Sequence, residues 1–326
     1  MFKNSKIYVA GHRGLLGSAI LRRLNEKGYT NLITCSHNDL DLTCGESVFN
    51  FFKMEKPEYV FLAAGKVGGI LSNKRYPADY LHVNLAIQDN IFESAVKHGV
   101  KKVIFYGSSC TYPRQCPQPI KEEYLLTGLL ESTSQAYAAA KIAGIIGCRA
   151  YNIQCDSNIF ISLIPSTMYG PGDNFSVENG HVISSLISRF YQAKINGLSE
   201  VTLWGSGKPR REFIYSEDIA DASIFAMENS QKLENSHYNI GSGIDYSIEE
   251  IASMVMQIVG YSGRIAWDKN KPDGTPQKLL DSSRFLSLGW TAGIDLHEGL
   301  QETFKWYQEN VCGERHYSKT GDTCAT

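Results

Sequence analysis

A short apolar strand, a glycine-rich loop and a helix follow one another at the start of this chain, and they restrict its fold more than any other feature. The run 6–10 (KIYVA) is apolar after its first residue, and the loop after it reads Gly11-His12-Arg13-Gly14-Leu15-Leu16-Gly17, a GxxGxxG variant of the dinucleotide fingerprint. Such glycines permit a tight turn, close approach of a pyrophosphate and close packing of helix on strand. Glycines also end strands for purely structural reasons, but the position at the first strand favours nucleotide binding.

Strand and helix patterns alternate after this loop, which is typical of a parallel sheet with helices on both faces. The predicted strands are 6–10, 31–35, 59–64, 102–106, 159–163, 201–204, 238–240 and 264–267. The predicted helices are 18–27, 81–97, 135–151, 182–195, 216–228 and 296–308, with one more after Ser247, and 205–213 reads as a polar loop. We therefore predict an α/β fold with a doubly wound parallel (Rossmann) sheet.

The pattern changes near residue 170, which indicates two interleaved lobes with a cleft between them. We assign 1–175 to the dinucleotide-binding domain and expect 214–241 to rejoin it. The segments 176–213 and 242–312 form the predicted smaller C-terminal α/β substrate lobe. Residues 313–326 are polar without periodicity and are predicted to be a mobile tail.

Composition excludes several classes of partner. With 32 basic and 34 acidic side chains, the chain has no excess charge that would attract nucleic acid or an anionic membrane. No apolar run reaches the length of about 18 residues needed to span a bilayer. Eight cysteines are scattered without a CxxC pair, so we expect no metal site or disulfide framework. A cytoplasmic enzyme with free thiols is the resulting prediction.

The choice between NAD and NADP depends on the end of the second strand, where an acid would bind the free 2′-hydroxyl of NAD. Here the segment runs from Thr34 to Asn38 without a carboxylate. Arg13 could face a 2′-phosphate, with Ser36 and His37 adding hydrogen bonds. The alternative is that Arg13 and His37 are ordinary solvated residues. We favour NADP because its phosphate needs such partners.

Tyr137 and Lys141 lie four positions apart on a predicted helix and so share a face. That spacing would let the ammonium lower the pKa of the phenol and reach the nicotinamide ribose, so that Tyr137 protonates a substrate oxygen as hydride arrives. The pair alone is common on helix surfaces. Ser108, however, directly follows the predicted strand 102–106, whose carboxyl end faces the cofactor cleft. The three residues together predict reduction of a carbonyl.

The order of these motifs resembles the extended short-chain dehydrogenase/reductase family, whose triad matches Ser108, Tyr137 and Lys141. Within it, segments such as AGHRGLLGSAI, LAAGKVGGI, GSSCTYP, WGSGKPRREF and KPDGTPQKLLD are similar to the GDP-L-fucose synthases, over about residues 6 to 310. The resemblance implies NADPH-dependent conversion of GDP-4-keto-6-deoxy-D-mannose to GDP-L-fucose. It implies acid and base roles for Cys110 and His181. Without the resemblance, Cys110 would be interpreted as a buried apolar residue and His181 as a capping residue at a helix start.

The resemblance also assigns binding residues and a homodimer formed through 81–97 and 137–151. Predicted substrate contacts are Ser109, Arg189, Trp204, Arg211, Lys271 and Asp273, with Arg210 as a solvated neighbour. Predicted cofactor contacts, besides the residues of the glycine loop, are His37, Asn38, Leu40, Ala63, Ala64, Tyr106, Gly107, Ser108, Lys141, Pro165, Thr167, Met168 and His181.

Four short departures from the family pattern lie near the predicted cleft. Where the family has N-E-P, P-T-N, P-H-D-N-F and N-S-H-V, this chain reads SQA at 134–136, PST at 165–167, PGDNF at 171–175 and NGHV at 179–182. They leave the hydride-transfer residues in place but could change the sugar pocket. The alternatives are therefore a GDP-L-colitose synthase, which inverts C5 only, a GDP-keto-heptose C4 reductase, or a non-catalytic NADP-binding regulator.

Overall fold

The computed structural model describes residues 1–178, 180–271 and 273–312, which form twelve strands and ten α-helices. The strands are β1 (Ile7–Ala10), β2 (Leu32–Ile33), β3 (Tyr59–Leu62), β4 (Lys102–Tyr106), β5 (Phe160–Pro165), β6 (Thr167–Tyr169), β7 (Glu200–Trp204), β8 (Arg210–Tyr215), β9 (His237–Ile240), β10 (Asp245–Ser247), β11 (Arg264–Asp268) and β12 (Gln277–Lys278). The helices are α1 (Leu15–Glu26), α2 (Gly45–Glu55), α3 (Ile70–Arg75), α4 (Pro77–Lys97), α5 (Gln135–Gln154), α6 (Val182–Ile195), α7 (Ser216–Glu228), α8 (Ile248–Val259), α9 (Ser283–Leu286) and α10 (Leu296–Tyr307).

Six parallel strands form the main sheet in the order β2-β1-β3-β4-β5-β9. The chain moves outward from β1 to β2 and then returns to place β3 on the other side of β1. The connections therefore diverge between β1 and β3, and such a switch point leaves a crevice at the carboxyl ends of the strands. The predicted α/β class with a parallel sheet is confirmed.

Both faces of this sheet are covered by helices. Successive residues of each strand point to opposite faces of the sheet, and both sets are apolar. Ile7 and Val9 of β1 pack in one buried cluster with side chains of α1 and α7. Tyr8 and Ala10 pack in a second cluster with side chains of α2, α4 and α5. Burial on two faces explains why these strands read as short continuous apolar runs.

A second region contains the remaining strands and a third buried cluster, to which α6, α8 and α10 contribute. Its central strand is β8, which pairs with β10, β12 and β6. The prediction of a loop over 205–213 was therefore wrong for residues 210–213. β8 has polar residues at its start, and its partners lie far away in the sequence, so no local pattern identifies it.

Several element boundaries differ from the sequence predictions. Helix α1 begins at Leu15 and α4 at Pro77, in each case earlier than predicted, and α2 was not predicted at all. The bounds of α6 and α7 are confirmed. The division into lobes stays a prediction, and the predicted tail lies outside the described residues. Among the described helices, none has the length and apolar character needed to cross a membrane.

Gly144 provides a test of the packing between α5 and the sheet. A Cβ at this position would lie 2.2 Å from Cζ of Phe105 and 2.7 Å from Oε1 of Gln88. We expect Gly144→Ala to lower the free energy of unfolding by about 1–3 kcal/mol, the usual cost of overpacking. Gly147→Ala is the matched control, because its Cβ would approach only the Phe92 ring, at 3.3 Å. Urea titrations of both variants check this, and equal stabilities would contradict it.

Candidate active site

The glycine loop forms a backbone cradle in the crevice between β1 and β3. Gly11 has a φ of 81°, and a Cβ there would lie 2.7 Å from the backbone nitrogen of Ala64. A Cβ at Gly17 would lie 2.1 Å from the carbonyl oxygen of Gly11. Only glycine permits this turn and this approach of helix to strand. The loop therefore presents bare backbone at the switch point, as a pyrophosphate site requires.

The start of α1 supplies the polar groups for such a site. Gly14 is the N-cap residue, and no side chain caps the helix, so the amides of its first turn are free to serve an anion. The ring Nδ1 of His12 is buried without a hydrogen-bond partner in the described structure. A buried polar atom of this kind calls for a ligand or water. The residues present thus fit a dinucleotide.

The region after β2 is where a 2′-phosphate would lie. Arg13, His37 and Asn38 are exposed there, whereas Leu40 is buried. The hydroxyl of Ser36 donates to Asp39, and this bond together with the charge of Arg13 lowers the pKa of the Asp39 carboxyl. The guanidinium is therefore close to the β2 loop, and it is available to a phosphate.

The other predicted cofactor residues lie along the same edge of the sheet. They stand at or just beyond the carboxyl ends of β3, β4 and β5, or on β6: Ala63, Ala64, Tyr106, Gly107, Pro165, Thr167 and Met168. The predicted cofactor contacts thus stay predictions, but all of them are on the side of the sheet where a dinucleotide binds.

Ser108 follows β4 and interacts with both Cys110 and Tyr137. Its Oγ accepts a hydrogen bond from the backbone nitrogen of Cys110 at 3.2 Å. Burial and the nearby Cys110 thiol raise the pKa of Tyr137, and a hydrogen bond with Ser108 partly opposes this rise. The phenol is consequently in the protonated form that a proton donor needs.

Lys141 does not lower the pKa of Tyr137, so that part of the sequence interpretation was wrong. Its Nζ lies 6.0 Å from the centroid of the Tyr137 ring and donates instead to the carbonyl oxygen of Tyr106 at 2.9 Å. Burial lowers the pKa of Lys141 to about 8. The ammonium is held at the end of β4, within the predicted cofactor crevice.

Cys110 is paired with a lysine that the sequence analysis did not identify. The Nζ of Lys278 donates to Cys110 Sγ at 3.4 Å, across 168 positions of sequence. Burial would raise the pKa of Cys110, but the charge of Lys278 and hydrogen bonds from Ser108, Lys278 and Ser134 outweigh it and lower that pKa. Cys110 is therefore suited to act as a thiolate base.

His181 is the N-cap residue of α6, and Asp173 fixes its ring. Their Nδ1 and Oδ1 atoms lie 3.1 Å apart, and the side chain of Asp173 is only 3% exposed. Burial lowers the pKa of His181, but the hydrogen bond and charge of Asp173, with a smaller effect of Cys110, raise it overall. The imidazolium is thereby stabilised, which suits a general acid.

The predicted substrate-binding residues divide into two groups. Arg211 is close enough to Cys110 and Glu131 to feel their charges, although burial is the largest effect and lowers its pKa. Ser109, in the turn after β4, is buried beside the same site. Arg211 and Ser109 therefore lie near the reactive groups.

The second group lies around β7 and the loop before β12. Trp204 is half exposed, and Lys271 Nζ stands 5.3 Å from its ring centroid. Asp273 accepts a hydrogen bond from the backbone nitrogen of Ser206 at 2.6 Å. Arg189, on α6, donates to the carbonyl oxygen of Val177 at 3.1 Å. The structure gives these residues no direct contact with Cys110 or Tyr137.

Arg210 is solvent-exposed, as predicted, with 40% of its side chain accessible, and it is also paired with Asp245. Its Nε lies 2.9 Å from Oδ1 of Asp245, and a further nitrogen donates to the Asp245 carbonyl at 2.7 Å. The ion pair ties β8 to β10, so Arg210 serves the sheet while Arg211 is directed to the site.

Sequence reasoning missed Lys278 and Asp173 as members of the site. Asp173 precedes His181 by eight positions in a loop, so no helical or strand periodicity relates them. Lys278 lies in the segment KPDGTPQKLLD, which marked the resemblance without indicating which residue reaches the thiol. In the described parts of the chain, no group of three or more His, Cys, Asp or Glu residues could hold a metal ion.

Residues 7–241 match the model of the NAD dependent epimerase/dehydratase family. The chain belongs to this family. It is 54% identical over 310 residues to GDP-L-fucose synthase 1 of Arabidopsis thaliana, with 95% of each chain covered. It is 45% identical over 312 residues to GDP-L-fucose synthase of Escherichia coli (strain K12), covering 94% of this chain and 97% of that one.

A solved structure is similar over the same length. It is MlghC, a GDP-mannoheptose C4 reductase from Campylobacter jejuni with NADP bound. The TM-score is 0.86 at 41% identity, over 94% of this chain and 99% of that chain. Family membership and this similarity agree with the Rossmann-like sheet and the glycine cradle described above.

Asp173→Asn tests the electrostatic account of His181. Without the carboxylate, the protonated ring loses its stabilising charge, so the pKa of His181 should fall. Imidazole NMR titration of the variant should therefore show deprotonation at lower pH than in the unaltered protein. Asp156→Asn, which removes an exposed carboxyl outside the site, is the control. An unchanged His181 titration in Asp173→Asn would refute the assigned role.

Proposed function

We propose that this enzyme uses NADPH to convert GDP-4-keto-6-deoxy-D-mannose to GDP-L-fucose, by epimerisation at C3 and C5 and reduction at C4. One observation carries the proposal: the Cys110 thiol, whose pKa is lowered, lies near Ser108 and Tyr137 at the end of β4 and also near His181, whose pKa is raised. The identity to GDP-L-fucose synthases over nearly the whole chain supports it.

Epimerisation requires a base, an acid and a site for negative charge. The protons on C3 and C5 are acidic because both carbons are adjacent to the C4 ketone. The Cys110 thiolate takes one of these protons and becomes a thiol, while the electron pair moves to O4 and forms an enolate. Ser108 and Tyr137 donate hydrogen bonds to that oxygen. His181, as imidazolium, then returns a proton to carbon and becomes neutral, which restores the ketone with inverted configuration. Before the second carbon reacts, the thiol loses its proton to solvent and His181 takes one up, so that the pair starts again as thiolate and imidazolium.

Reduction uses the same oxygen site. Bound NADPH supplies a hydride for C4. Tyr137 gives its phenolic proton to O4 as the alcohol forms, and its raised pKa keeps that proton in place until then. Lys141 is charged below a pH of about 8 and lies at the end of β4, where its ammonium can bind the ribose of the cofactor. A shared oxyanion site explains why one enzyme can perform both reactions.

Arg211 and the residues around β7 are proposed to bind the GDP part. A guanidinium can hold a diphosphate with two parallel hydrogen bonds. Trp204 offers a half-exposed aromatic face against which a guanine could stack, and Lys271 lies beside it. Arg189 and Asp273 complete the proposed set.

We also propose a homodimer that acts in the cytoplasm. α4 and α5 pack against each other and leave the apolar side chains Leu81, Ile146 and Ile153 exposed, by 37%, 45% and 73% respectively. A second copy would cover them. The seven described cysteines are all free, which suits a reducing compartment.

A GDP-keto-heptose C4 reductase is the second candidate, since the chain is similar to MlghC at a TM-score of 0.86. Ser134 and Gly172, two departures from the family pattern, lie next to Cys110 and Asp173 respectively. A GDP-L-colitose synthase would use the same groups at C5 alone. A non-catalytic regulator is disfavoured, because it would have no use for the paired Cys110 and His181.

Substrate identity is tested by NADPH oxidation with GDP-4-keto-6-deoxy-D-mannose, followed by NMR of the product. We expect turnover and GDP-L-fucose. A GDP-keto-heptose serves as the comparison substrate under the same conditions. Turnover of the heptose alone would reject the main proposal in favour of the second candidate, and inversion at C5 only would indicate the colitose reaction.

Separate variants should divide the two half-reactions. Tyr137→Phe removes the proton donor for reduction, and we expect NADPH oxidation to fall about 10²–10⁴-fold. Cys110→Ser removes the thiolate, so uptake of deuterium at C3 and C5 from heavy water should be lost while reduction at C4 persists. Both activities are measured for each variant, so each serves as the control of the other. Unaffected exchange in Cys110→Ser would refute the base role.

A further inference from the structure

The Cys110 thiol lies among four groups that carry or can carry charge, each on a different element. Tyr137 comes from α5, His181 precedes α6, Arg211 is on β8 and Lys278 is on β12. Each is near enough for its charge to interact with that of the thiolate. Of these four side chains, only that of Lys278 is hydrogen-bonded to the thiol. Its Nζ lies 3.4 Å from Cys110 Sγ.

The backbone around Lys278 is held on both sides. β12 runs parallel to β8 with Lys278 opposite Arg211. Immediately after it, the backbone nitrogen of Leu279 donates to Oε1 of Gln118 at 2.9 Å. The next nitrogen, that of Leu280, donates to the buried carboxylate of Glu212 at 3.0 Å. The backbone from which the Lys278 side chain extends is therefore fixed by the sheet.

We propose that Lys278 is a positioning residue that holds Cys110 as a thiolate before substrate binds, at the place where the sugar will lie. The inference rests on the proposed function, because only an epimerisation needs a base here. The proton taken from carbon goes to sulfur, and Lys278 stays an ammonium throughout. It thus acts through Cys110, whereas Arg211, the neighbouring cation on β8, is left for the diphosphate.

The lysine explains how the base and the acid stay in opposite protonation states. Without a cation, the half-buried thiol would be protonated at neutral pH, since burial alone raises its pKa. Asp173 faces His181 and favours its charged form, and Lys278 faces Cys110 and favours its charged form. Each reactive group therefore has its own counter-charge, on separate strands or loops.

The test measures alkylation of Cys110 by iodoacetamide in the full-length protein, without substrate or cofactor, as a function of pH. Arg114 lies between Cys110 and Cys116, so trypsin places the two thiols on separate peptides. Since the thiolate is the reactive form, the rate reports its population. Cys44, an exposed thiol, is the internal reference in each digest.

Lys278→Met should move the alkylation profile of Cys110 to higher pH. At pH 7 the reaction should slow, by up to about tenfold for each pH unit by which the profile moves, because the thiolate population falls. Lys278→Arg keeps the charge and should restore most of the rate. Lys232→Met, which removes an exposed lysine elsewhere, is the control and should change nothing. Deuterium exchange into the sugar should fall in Lys278→Met at neutral pH and recover as the pH is raised.

Unchanged alkylation in Lys278→Met would overturn the proposal, and so would failure of Lys278→Arg to restore it. A raised KM with normal alkylation would instead make Lys278 a substrate contact, which also contradicts it. If Lys278→Met does not fold, Lys278→Gln, which keeps a polar side chain but removes the charge, is measured in its place, and an unchanged profile there would equally overturn the proposal. Since alkylation needs no substrate, these results stand whether or not the GDP-sugar activity is found.

Discussion

The hydrogen bond from Lys141 Nζ to the carbonyl oxygen of Tyr106, at 2.9 Å, is the contact on which the rest of the site depends. It joins the middle of α5 to the last residue of β4. A buried ammonium is costly unless it is hydrogen-bonded, so α5 is held at this height relative to the strand. That height places Tyr137, one turn earlier on the helix, beside Ser108, two residues beyond Tyr106.

The remaining reactive groups reach this centre from other parts of the chain. Cys110 follows Ser108 in the same turn, and Lys278 and Arg211 approach from the second region on the paired strands β12 and β8. His181 comes from the start of α6, with Asp173 behind it. The site is thus formed where the two regions meet.

Contacts between residues that are near in the sequence could be predicted from it, whereas contacts between distant residues could not. The glycine loop, the main sheet and the Tyr137–Lys141 pair follow from local patterns, because a strand end, a helix start and a spacing of four residues are local properties. β8 was mistaken for a loop because its polar start is explained only by partners elsewhere. Lys278 contacts Cys110 across 168 positions, and no pattern in a single sequence predicts such a pair.

Electrostatic detail was the least predictable part. Residue spacing suggested that Lys141 lowers the pKa of Tyr137, but the ammonium is directed to a carbonyl and burial raises that pKa instead. The direction in which a pKa moves depends on which atoms exclude water, and this is known only once the fold is known. The same reasoning applies to Cys110, whose burial and neighbours act in opposite directions.

The central claim is that one oxygen site at the end of β4 serves both proton transfer and hydride transfer. A crystal structure of the protein with NADP⁺ and a GDP-sugar bound tests it most directly. We predict that O4 of the sugar lies within hydrogen-bond distance of Ser108 Oγ and the Tyr137 hydroxyl, with the sugar ring between Cys110 Sγ and His181. A sugar whose O4 faces away from Ser108 and Tyr137, or whose C3 and C5 are out of reach of Cys110, would contradict the account.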